Sequence, residues 1–339
     1  MRKTSISMPA SKVRPTVAVV LCSYNGADHL REQLLSLAEQ TWPASVHLFD
    51  DASTDRTIEI AQGFRKELDI QIHINSPNKG FVANFESGIR TVLDLGFDYI
   101  ALCDQDDIWL PNKIEDSMQA MLENDALNKA ILVHSDLSII NEHAETQFKS
   151  YFKFRRYDIS NNPSLPIVLG QNGVMGNTIL MNRNLAELVL PFPTNLHVHD
   201  YWIALVCELF GQRVLLKQQL VQYRIHAANT SNATSQLQYG VQTLSLLGKL
   251  KYLWNRNYQL PYKEDTRHQI VQSLLNDELG LPALKQQQIQ ALETFQNYLT
   301  FKQSRVTLGI NMLKNGYIKK DWRQRAWFLY SLLLTKRYN

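Results

Sequence analysis

Short apolar runs alternate with helix-like segments over residues 16–124, and this alternation constrains the fold more than any other feature. The first run, TVAVVLC at 16–22, is continuous and rich in β-branched residues, as in a strand buried on both faces of a parallel sheet. Further runs at 46–49, 70–74 and 99–103 are separated by segments with helical spacing. This βαβαβαβα order predicts an α/β fold with a doubly wound, mostly parallel sheet.

Polar residues follow each of these four predicted strands at its carboxyl end. In open α/β sheets, ligands bind beyond the carboxyl ends of the strands. The sequence therefore predicts one binding site at that edge, assembled from Ser23-Tyr24-Asn25, Asp50-Asp51, Asn78-Lys79-Gly80 and Asp104-Gln105-Asp106-Asp107.

The second half of the chain has a weaker pattern. Three more strands and a long helix are predicted, at residues 131–135, 177–181, 220–223 and 199–210. Beyond about residue 240 the pattern is helical throughout. We therefore expect three parts: a basic tail at 1–14, an α/β domain at 15–235, and a helical C-terminal region at 236–339 with a basic amphipathic end.

Cysteine usage and the amino terminus indicate where the protein works. The three cysteines are widely spaced and odd in number, so they form no disulfide framework and favour a reducing compartment. Residues 1–14 are basic without the apolar core of a signal peptide. No run approaches the ~20 apolar residues that a transmembrane helix needs. A cytoplasmic location is expected.

The C-terminal end concentrates positive charge. Residues 301–339 hold nine lysines and arginines against Asp321 alone, although the whole chain carries only +3. One helical face there is apolar and comprises Ile318, Trp322, Ala326, Leu329 and Leu333. We expect peripheral attachment to an anionic surface on the cytoplasmic face of the inner membrane. The alternative is a helix packed against the α/β domain.

Three carboxylates, Asp104, Asp106 and Asp107, crowd the loop after the fourth predicted strand. Carboxylates this close repel one another, so a divalent metal, a nearby Lys or Arg, and a solvated turn all remain open as explanations. The chain has no Gly-x-Gly-x-x-Gly run and no P-loop, and the segment 51–62 has Arg56 where a calcium loop requires glycine. A phosphate bound here would therefore need a divalent cation on the Asp-x-Asp pair.

Four ordered motifs resemble those of the family-2 glycosyltransferases, inverting enzymes of the GT-A fold: VAVVLCSYNGADHLREQLLSLAEQTW, DDASTDRT, NKGFVANFESGI and YIALCDQDDIWLPNK. The resemblance continues through NGVMGNTILMNRNL, HDYW and YRIHAAN, and so covers about residues 15–230. The SYNG…EQ opening and the HDYW motif are most similar to rhamnosyltransferase-type members that build bacterial surface polysaccharides. This implies hexosyl transfer from a nucleoside-diphosphate sugar, with dTDP-rhamnose as one candidate, to a saccharide or lipid-linked acceptor. No nucleic-acid partner is expected.

The resemblance also implies roles for individual residues. The donor nucleotide would be contacted by Ser23, Tyr24, Asn25, Asp51, Lys79 and Asp104. Mn²⁺ or Mg²⁺ would be held against the donor diphosphate by Asp104, Asp106 and His226. Asp200, in HDYW, would be the catalytic base. These residue types suit the chemistry, because a metal stabilises the charge on a departing diphosphate and a carboxylate can deprotonate an attacking hydroxyl.

Other interpretations of the same residues remain open. The chain could be a catalytically silent nucleotide- or metal-binding module on this fold, whereas a sugar nucleotidyltransferase lacks support because no glycine- and arginine-rich loop follows the first strand. Asp200 could merely cap its helix. Arg224 could bind diphosphate or form a structural ion pair. Packing alone could explain the residues Asn84, Gly88, Trp109 and Trp202.

Overall fold

The computed structural model describes residues 15–124, 129–155, 164–194, 196–226, 262–300, 304–317 and 325. The predicted basic tail at 1–14 lies outside the described residues. So does the predicted amphipathic segment at 318–333, apart from Arg325. Among the helices of the described ranges, none is long and apolar enough to cross a membrane.

Strands and helices alternate through the first half as the sequence predicts. The elements up to residue 124 are β1 (Val17–Ser23), α1 (Leu30–Ala38), β2 (Ser45–Asp50), α2 (Thr57–Gly63), β3 (Ile70–Ile74), α3 (Phe81–Asp94), β4 (Tyr99–Asp104), β5 (Ile108–Trp109) and α4 (Lys113–Asn124). The elements of the middle region are β6 (Ala130–Ile140), β7 (Thr146–Phe148), α5 (Tyr151–Arg155), α6 (Leu165–Gln171), β8 (Leu180–Asn182), α7 (Arg183–Val189), α8 (His199–Phe210) and β9 (Gly211–Arg224). The described C-terminal helices are α9 (Tyr262–Leu275), α10 (Gln286–Leu299) and α11 (Arg305–Lys314).

These strands form one sheet in the order β3-β2-β1-β4-β8-β6-β9-β5, with β7 paired to β6. The pairs β1–β2, β1–β4, β2–β3 and β6–β9 are parallel, while β8 runs antiparallel to both β4 and β6. This confirms the predicted α/β class and the doubly wound first half. The second half is a mixed sheet, because the short β8 reverses direction where it joins the two parallel sets.

Strand lengths differ from the prediction in this second half. The predicted strand at 220–223 is the end of the fourteen-residue β9, which pairs along the whole of β6. Its apolar run Val214-Leu215-Leu216 is only three residues long and is separated from the predicted segment by Lys217, Gln218 and Gln219, so the sequence does not indicate one long strand. The predicted strand at 177–181 is a 3₁₀ turn at 176–178 followed by the three-residue β8.

Apolar side chains cover both faces of the sheet. Along β1, Val19 and Leu21 face the layer formed with α1 and α4, while Val20 faces the layer formed with α3, α7 and α8. The described C-terminal helices join this second layer through side chains that include Ile270, Leu292, Phe295, Met312 and Tyr317. Trp109 and Trp202 are buried in the two layers, which confirms the packing interpretation of both residues.

Helix α3 lies close to β1 and β2, and Gly88 makes that approach possible. A Cβ atom at position 88 would lie 2.5 Å from Val20 Cγ1 and 3.1 Å from a ring carbon of Phe49. Asn84, one turn earlier, donates from Nδ2 to the Phe49 carbonyl at 2.8 Å. Both residues therefore fix the position of α3, which begins directly after the 75–80 loop of the predicted site.

We expect Gly88→Ala to lower the free energy of unfolding by about 1–3 kcal/mol, because the added methyl group overpacks the interface with β1. Chemical denaturation measures this change. Gly63→Ala, in α2, is the matched control because no atom lies within 4 Å of the added Cβ. That variant should be neutral or gain up to about 1 kcal/mol. Equal effects of the two substitutions would contradict the close approach of α3.

Candidate active site

The carboxyl ends of β1, β2 and β4 lie side by side and place the first predicted residues together. In the strand register, Ser23 is opposite Asp50 and Cys22 is opposite Asp104. The buried Ser23 hydroxyl donates to Asp50 Oδ1 at 3.0 Å, so Ser23 supports the loop after β2. This edge of the sheet is the floor of the candidate site.

Tyr24 and Asn25 follow this buried edge of the sheet and lie at the surface. The Tyr24 side chain is 50% exposed, and its backbone N–H donates to Gln105 Oε1 at 2.8 Å. The Gln105 amide donates back to the Tyr24 carbonyl at 3.1 Å, which joins the loop after β1 to the acidic loop after β4. Asn25 has φ +47°, and its Oδ1 accepts from the Thr54 N–H at 2.9 Å. An exposed aromatic ring at this edge is suited to stacking on the planar base of a nucleotide. Asn25 stabilises the turn through its side chain.

Asp51 is buried and organises the 75–80 loop through its carboxylate. Oδ1 accepts from the Lys79 N–H and from Asn75 Nδ2, both at 2.9 Å, and Oδ2 accepts from the Gly80 N–H at 2.8 Å. The Lys79 side chain is exposed, with Nζ 3.5 Å from Ser87 Oγ. Contact of Asp51 and Lys79 with a donor nucleotide stays a prediction.

The acidic loop after β4 divides its three carboxylates between two roles. Asp107 is fully buried and accepts from Asn177 Nδ2 and from the Arg224 N–H. Lys113 lies nearby, and burial lowers its pKa to about 7. Burial and the charges of the other two aspartates raise the pKa of Asp107 well above the ordinary value. Asp107 therefore holds the loop to its neighbours, and Asp104 and Asp106 are the carboxylates left at the site.

Asp104 and Asp106 meet groups brought from distant parts of the chain. Asp106 Oδ2 lies 2.9 Å from His226 Nε2, two residues beyond the end of β9. Burial, followed by the negative charges of Asp106 and Asp200, raises the pKa of Asp104 to about 7. The structure thus brings together Asp104, Asp106, Asp200 and His226, which are separated by up to 122 positions in the sequence.

These residues fit a divalent cation by their chemistry. The two carboxylates are oxygen ligands of the kind that suits Mn²⁺ or Mg²⁺, and His226 adds an imidazole nitrogen. A cation between the carboxylates would also offset the burial and the repulsion that raise the pKa of Asp104. In the described part of the chain, no group of three or more His, Cys, Asp or Glu side chains is arranged to hold a metal ion. Diphosphate oxygens would have to supply the remaining ligands.

Asp200 is the second residue of α8 and is partly exposed. Val198 occupies the N-cap position and its side chain makes no capping hydrogen bond, so Asp200 is not the N-cap residue itself. Its Oδ1 accepts from Asn172 Nδ2 at 3.0 Å. A carboxylate in the first helical turn is favoured in its ionised form by the helix dipole.

His199 shapes the wall beside Asp200. Its ring stacks on Phe85 with centroids 4.1 Å apart, and burial lowers its pKa to about 3, so the imidazole is neutral. A Cβ atom at Gly176 would lie 2.8 Å from His199 Nε2 and 3.8 Å from Asp200 Cβ. Glycine at 176 therefore leaves room for both residues at the start of α8.

Several residues that organise the site have no role assigned from the sequence. They are Gln105, Asn172 and Asn177. Asn172 and Asn177 lie within the NGVMGNTILMNRNL motif, which is a signal for them, although their partners Asp200 and Asp107 are far away in the sequence. The Arg224 guanidinium is fully buried and pairs with Glu32, which confirms the ion-pair interpretation.

Comparison with known proteins identifies the class. Residues 18–182 match the family described as glycosyl transferase family 2. An uncharacterized glycosyltransferase of Rickettsia prowazekii is 27% identical over 237 residues, which are 66% of this chain and 69% of the relative. The dTDP-rhamnosyl transferase RfbG of Shigella flexneri is 37% identical over 110 residues, 31% of this chain and 38% of the relative. The segment 18–182 therefore belongs to glycosyl transferase family 2, and the comparisons together indicate a glycosyltransferase.

Solved structures show the same fold. TarS residues 1–349 of S. aureus, in complex with UDP-GlcNAc, superpose with a TM-score of 0.56 at 15% identity, covering 96% of this chain and 93% of the TarS chain. The mannosyltransferase PcManGT of Pyrobaculum calidifontis, in complex with GDP-Man and Mn²⁺, gives a TM-score of 0.50 at 16% identity, covering 96% and 87%. The GT-A fold with a helical C-terminal region is thereby confirmed.

Proposed function

We propose that the protein is a metal-dependent, inverting glycosyltransferase that moves a hexose from a nucleoside-diphosphate sugar to a saccharide or lipid-linked acceptor. The observation that carries this proposal is the convergence of Asp104, Asp106, His226 and Asp200 beside the loops after β1 and β2. A cation held by Asp104, Asp106 and His226, with Asp200 nearby as a separate carboxylate, would suit diphosphate departure and hydroxyl attack.

Different residues of the chain would serve different parts of the reaction. Asp104, Asp106 and His226 would hold a divalent cation, which when bound neutralises charge on the leaving diphosphate. Tyr24, Asn25, Asp51 and Lys79 would orient the nucleotide.

Asp200 would accept the proton of the acceptor hydroxyl as it attacks the anomeric carbon. The hydrogen bond from Asn172 to Oδ1 orients this carboxylate. A single attack opposite the leaving group inverts the anomeric configuration. Asp200 is suited to this role because it lies near Asp104, close enough for its charge to raise the pKa of that residue. It belongs to a different element, α8, and is therefore separate from the acidic loop.

The donor we favour is dTDP-rhamnose, and the product would be a bacterial surface polysaccharide. Support comes from the similarity to RfbG and from a putative teichuronic acid glycosyltransferase of Bacillus subtilis, TuaG, which is 30% identical over 113 residues. The TuaG match spans 32% of this chain and 43% of that relative. Because both matches cover less than half of either chain, the nucleotide base is the first property to measure.

The competing function is a silent nucleotide-binding module on the same fold. It would keep Tyr24 and Asp51 for the nucleotide but would have no need for a carboxylate in the position of Asp200. The presence of Asp200 at the site, and of His226 against Asp106, favours the enzyme.

One assay tests the proposal. The full chain is incubated with Mn²⁺ and dTDP-, UDP- or GDP-sugars, after a thermal-shift screen of the free nucleoside diphosphates has selected the base. Release of nucleoside diphosphate above the spontaneous rate, increased by an acceptor and abolished by EDTA, is expected. An acceptor-linked product with the opposite anomeric configuration from the donor, shown by NMR, would support inversion. Nucleotide binding without any turnover across acceptors would favour the silent module.

A further inference from the structure

We propose that Arg224 is a positioning residue that sets the distance between Asp106 and His226, and hence the affinity of the site for its cation. This inference rests on the proposed function, because it concerns the cation that the function requires. Arg224 acts through the main chain that carries the two proposed ligand side chains.

The Arg224 guanidinium binds three separate segments. Nε donates to the Asp106 carbonyl at 2.9 Å. One terminal nitrogen donates to the carbonyls of Glu142 at 2.9 Å and Asn141 at 3.4 Å, in the hairpin between β6 and β7. The other pairs with Glu32 on α1. The guanidinium thus joins the acidic loop to α1 and to the hairpin.

The acidic loop also binds the main chain of Arg224. Asp107 Oδ1 accepts from the Arg224 backbone N–H at 3.1 Å. The adjacent strands β5 and β9 are paired, with Ile108 opposite Gln222. Arg224 therefore binds the main chain of Asp106 while its own main chain is bound by Asp107. This two-way attachment fixes the end of β9 relative to the acidic loop.

The ligand pair lies directly beyond this attachment. His226 is two residues after Arg224, and its Nε2 is 2.9 Å from Asp106 Oδ2. A small shift of β9 along the acidic loop would move the imidazole and the carboxylate apart. Groups that orient metal ligands without touching the metal commonly change its affinity by about 10–100-fold when they are lost.

Lysine cannot replace arginine in this position. A guanidinium is planar and directs five N–H groups along fixed lines, which matches carbonyl and carboxylate acceptors on several sides. An ammonium group is a single point with three donors and cannot reach Asp106, the hairpin and Glu32 together. The Arg224 side chain is fully buried, whereas Glu32 is about half exposed, so lysine at position 224 would leave the Asp106 carbonyl without the donor that now reaches it from Nε.

Arg183 provides a matched control at the opposite end of β4. One of its terminal nitrogens donates to the carbonyls of Leu93 and Phe97, at 3.0 and 2.8 Å, and the other pairs with Glu187 at 3.2 Å. It is therefore also an arginine that joins main-chain carbonyls and a glutamate. Because it lies near the amino end of the strand, its loss should affect stability without affecting the ligand pair.

The experiment compares Arg224→Lys, Arg183→Lys and Glu32→Gln with the wild-type full chain. Mn²⁺ is titrated calorimetrically in the presence of saturating dTDP, UDP or GDP, whichever binds the wild type, and unfolding is measured in parallel. We expect Arg224→Lys to raise the Mn²⁺ dissociation constant by about 10–100-fold. Arg183→Lys should lose stability but keep the wild-type Mn²⁺ affinity.

Three results would separate the possibilities. Wild-type Mn²⁺ affinity in a folded Arg224→Lys variant would overturn the inference and leave the proposed function intact. If Arg224→Lys does not fold, the exposed Glu32→Gln decides, because a neutral partner orients the guanidinium less firmly. A several-fold weaker Mn²⁺ affinity in Glu32→Gln supports the inference, and unchanged affinity overturns it. If the wild type bound the nucleotide equally well with and without Mn²⁺, that result would instead contradict the proposed function.

Discussion

Asp200→Asn is expected to lose glycosyl transfer by roughly 10²–10⁴-fold while folding and binding donor with Mn²⁺ nearly as the wild type does. The amide keeps the shape of the side chain but cannot accept the proton of the attacking hydroxyl. Single-turnover transfer and donor binding are measured on the same preparation. The loss should appear in the rate of transfer and leave the donor affinity almost unchanged.

Asp116→Asn is a close control for this substitution. Asp116 lies in the first turn of α4, and its carboxylate accepts from Asn112 Nδ2 at 2.6 Å, much as Asp200 accepts from Asn172. It should share any loss of stability that comes from the helix terminus or from the asparagine contact. If Asp200→Asn retained most of its transfer rate and melted like Asp116→Asn, Asp200 would be structural and the base would lie elsewhere.

Asp106→Asn is expected to raise the Mn²⁺ concentration needed for nucleotide binding by about 10²-fold or more. The substitution removes a charged oxygen ligand, and ligand charge is a main determinant of affinity for divalent cations. It also removes the carboxylate that faces His226. Nucleotide titrations at a series of Mn²⁺ concentrations measure the shift.

Two outcomes bear on this second prediction. Recovery of nucleotide binding at high Mn²⁺ would place the defect in cation affinity, as expected. An Asp106→Asn protein with the wild-type Mn²⁺ dependence would show that this carboxylate is not a ligand. The Asp116→Asn variant, which changes the same residue type away from the site, should behave as the wild type.

The first four strands and their site-facing ends can be predicted because each depends on local pattern. A buried parallel strand is an apolar run, and the residue that follows it must leave the core at the sheet edge. This logic places Ser23, Asp51 and Asp104 at the sheet edge from the sequence alone. It fails for β9, whose short apolar runs are interrupted by polar residues, so that the full length of the strand follows from its pairing with β6.

The internal organisation of the site cannot be predicted in this way because it depends on contacts between distant residues. The hydrogen bond between Asp107 and Arg224 joins residues 117 positions apart, and that between Asp107 and Asn177 joins residues 70 apart. Nothing near Asp107 in the sequence distinguishes it from Asp104 or Asp106. Only the folded chain shows that one carboxylate of the three holds the loop while the other two face the site.

Cation-dependent nucleotide binding is the most direct test of the central claim that this edge of the sheet is a metal-assisted donor site. The full chain is titrated with the selected nucleoside diphosphate by calorimetry, once with excess Mn²⁺ and once with EDTA. Because Asp104 and Asp106 would face the diphosphate with charge of the same sign, we expect binding with Mn²⁺ and a loss of affinity of at least about tenfold in EDTA. Equal affinity under the two conditions would contradict the claim.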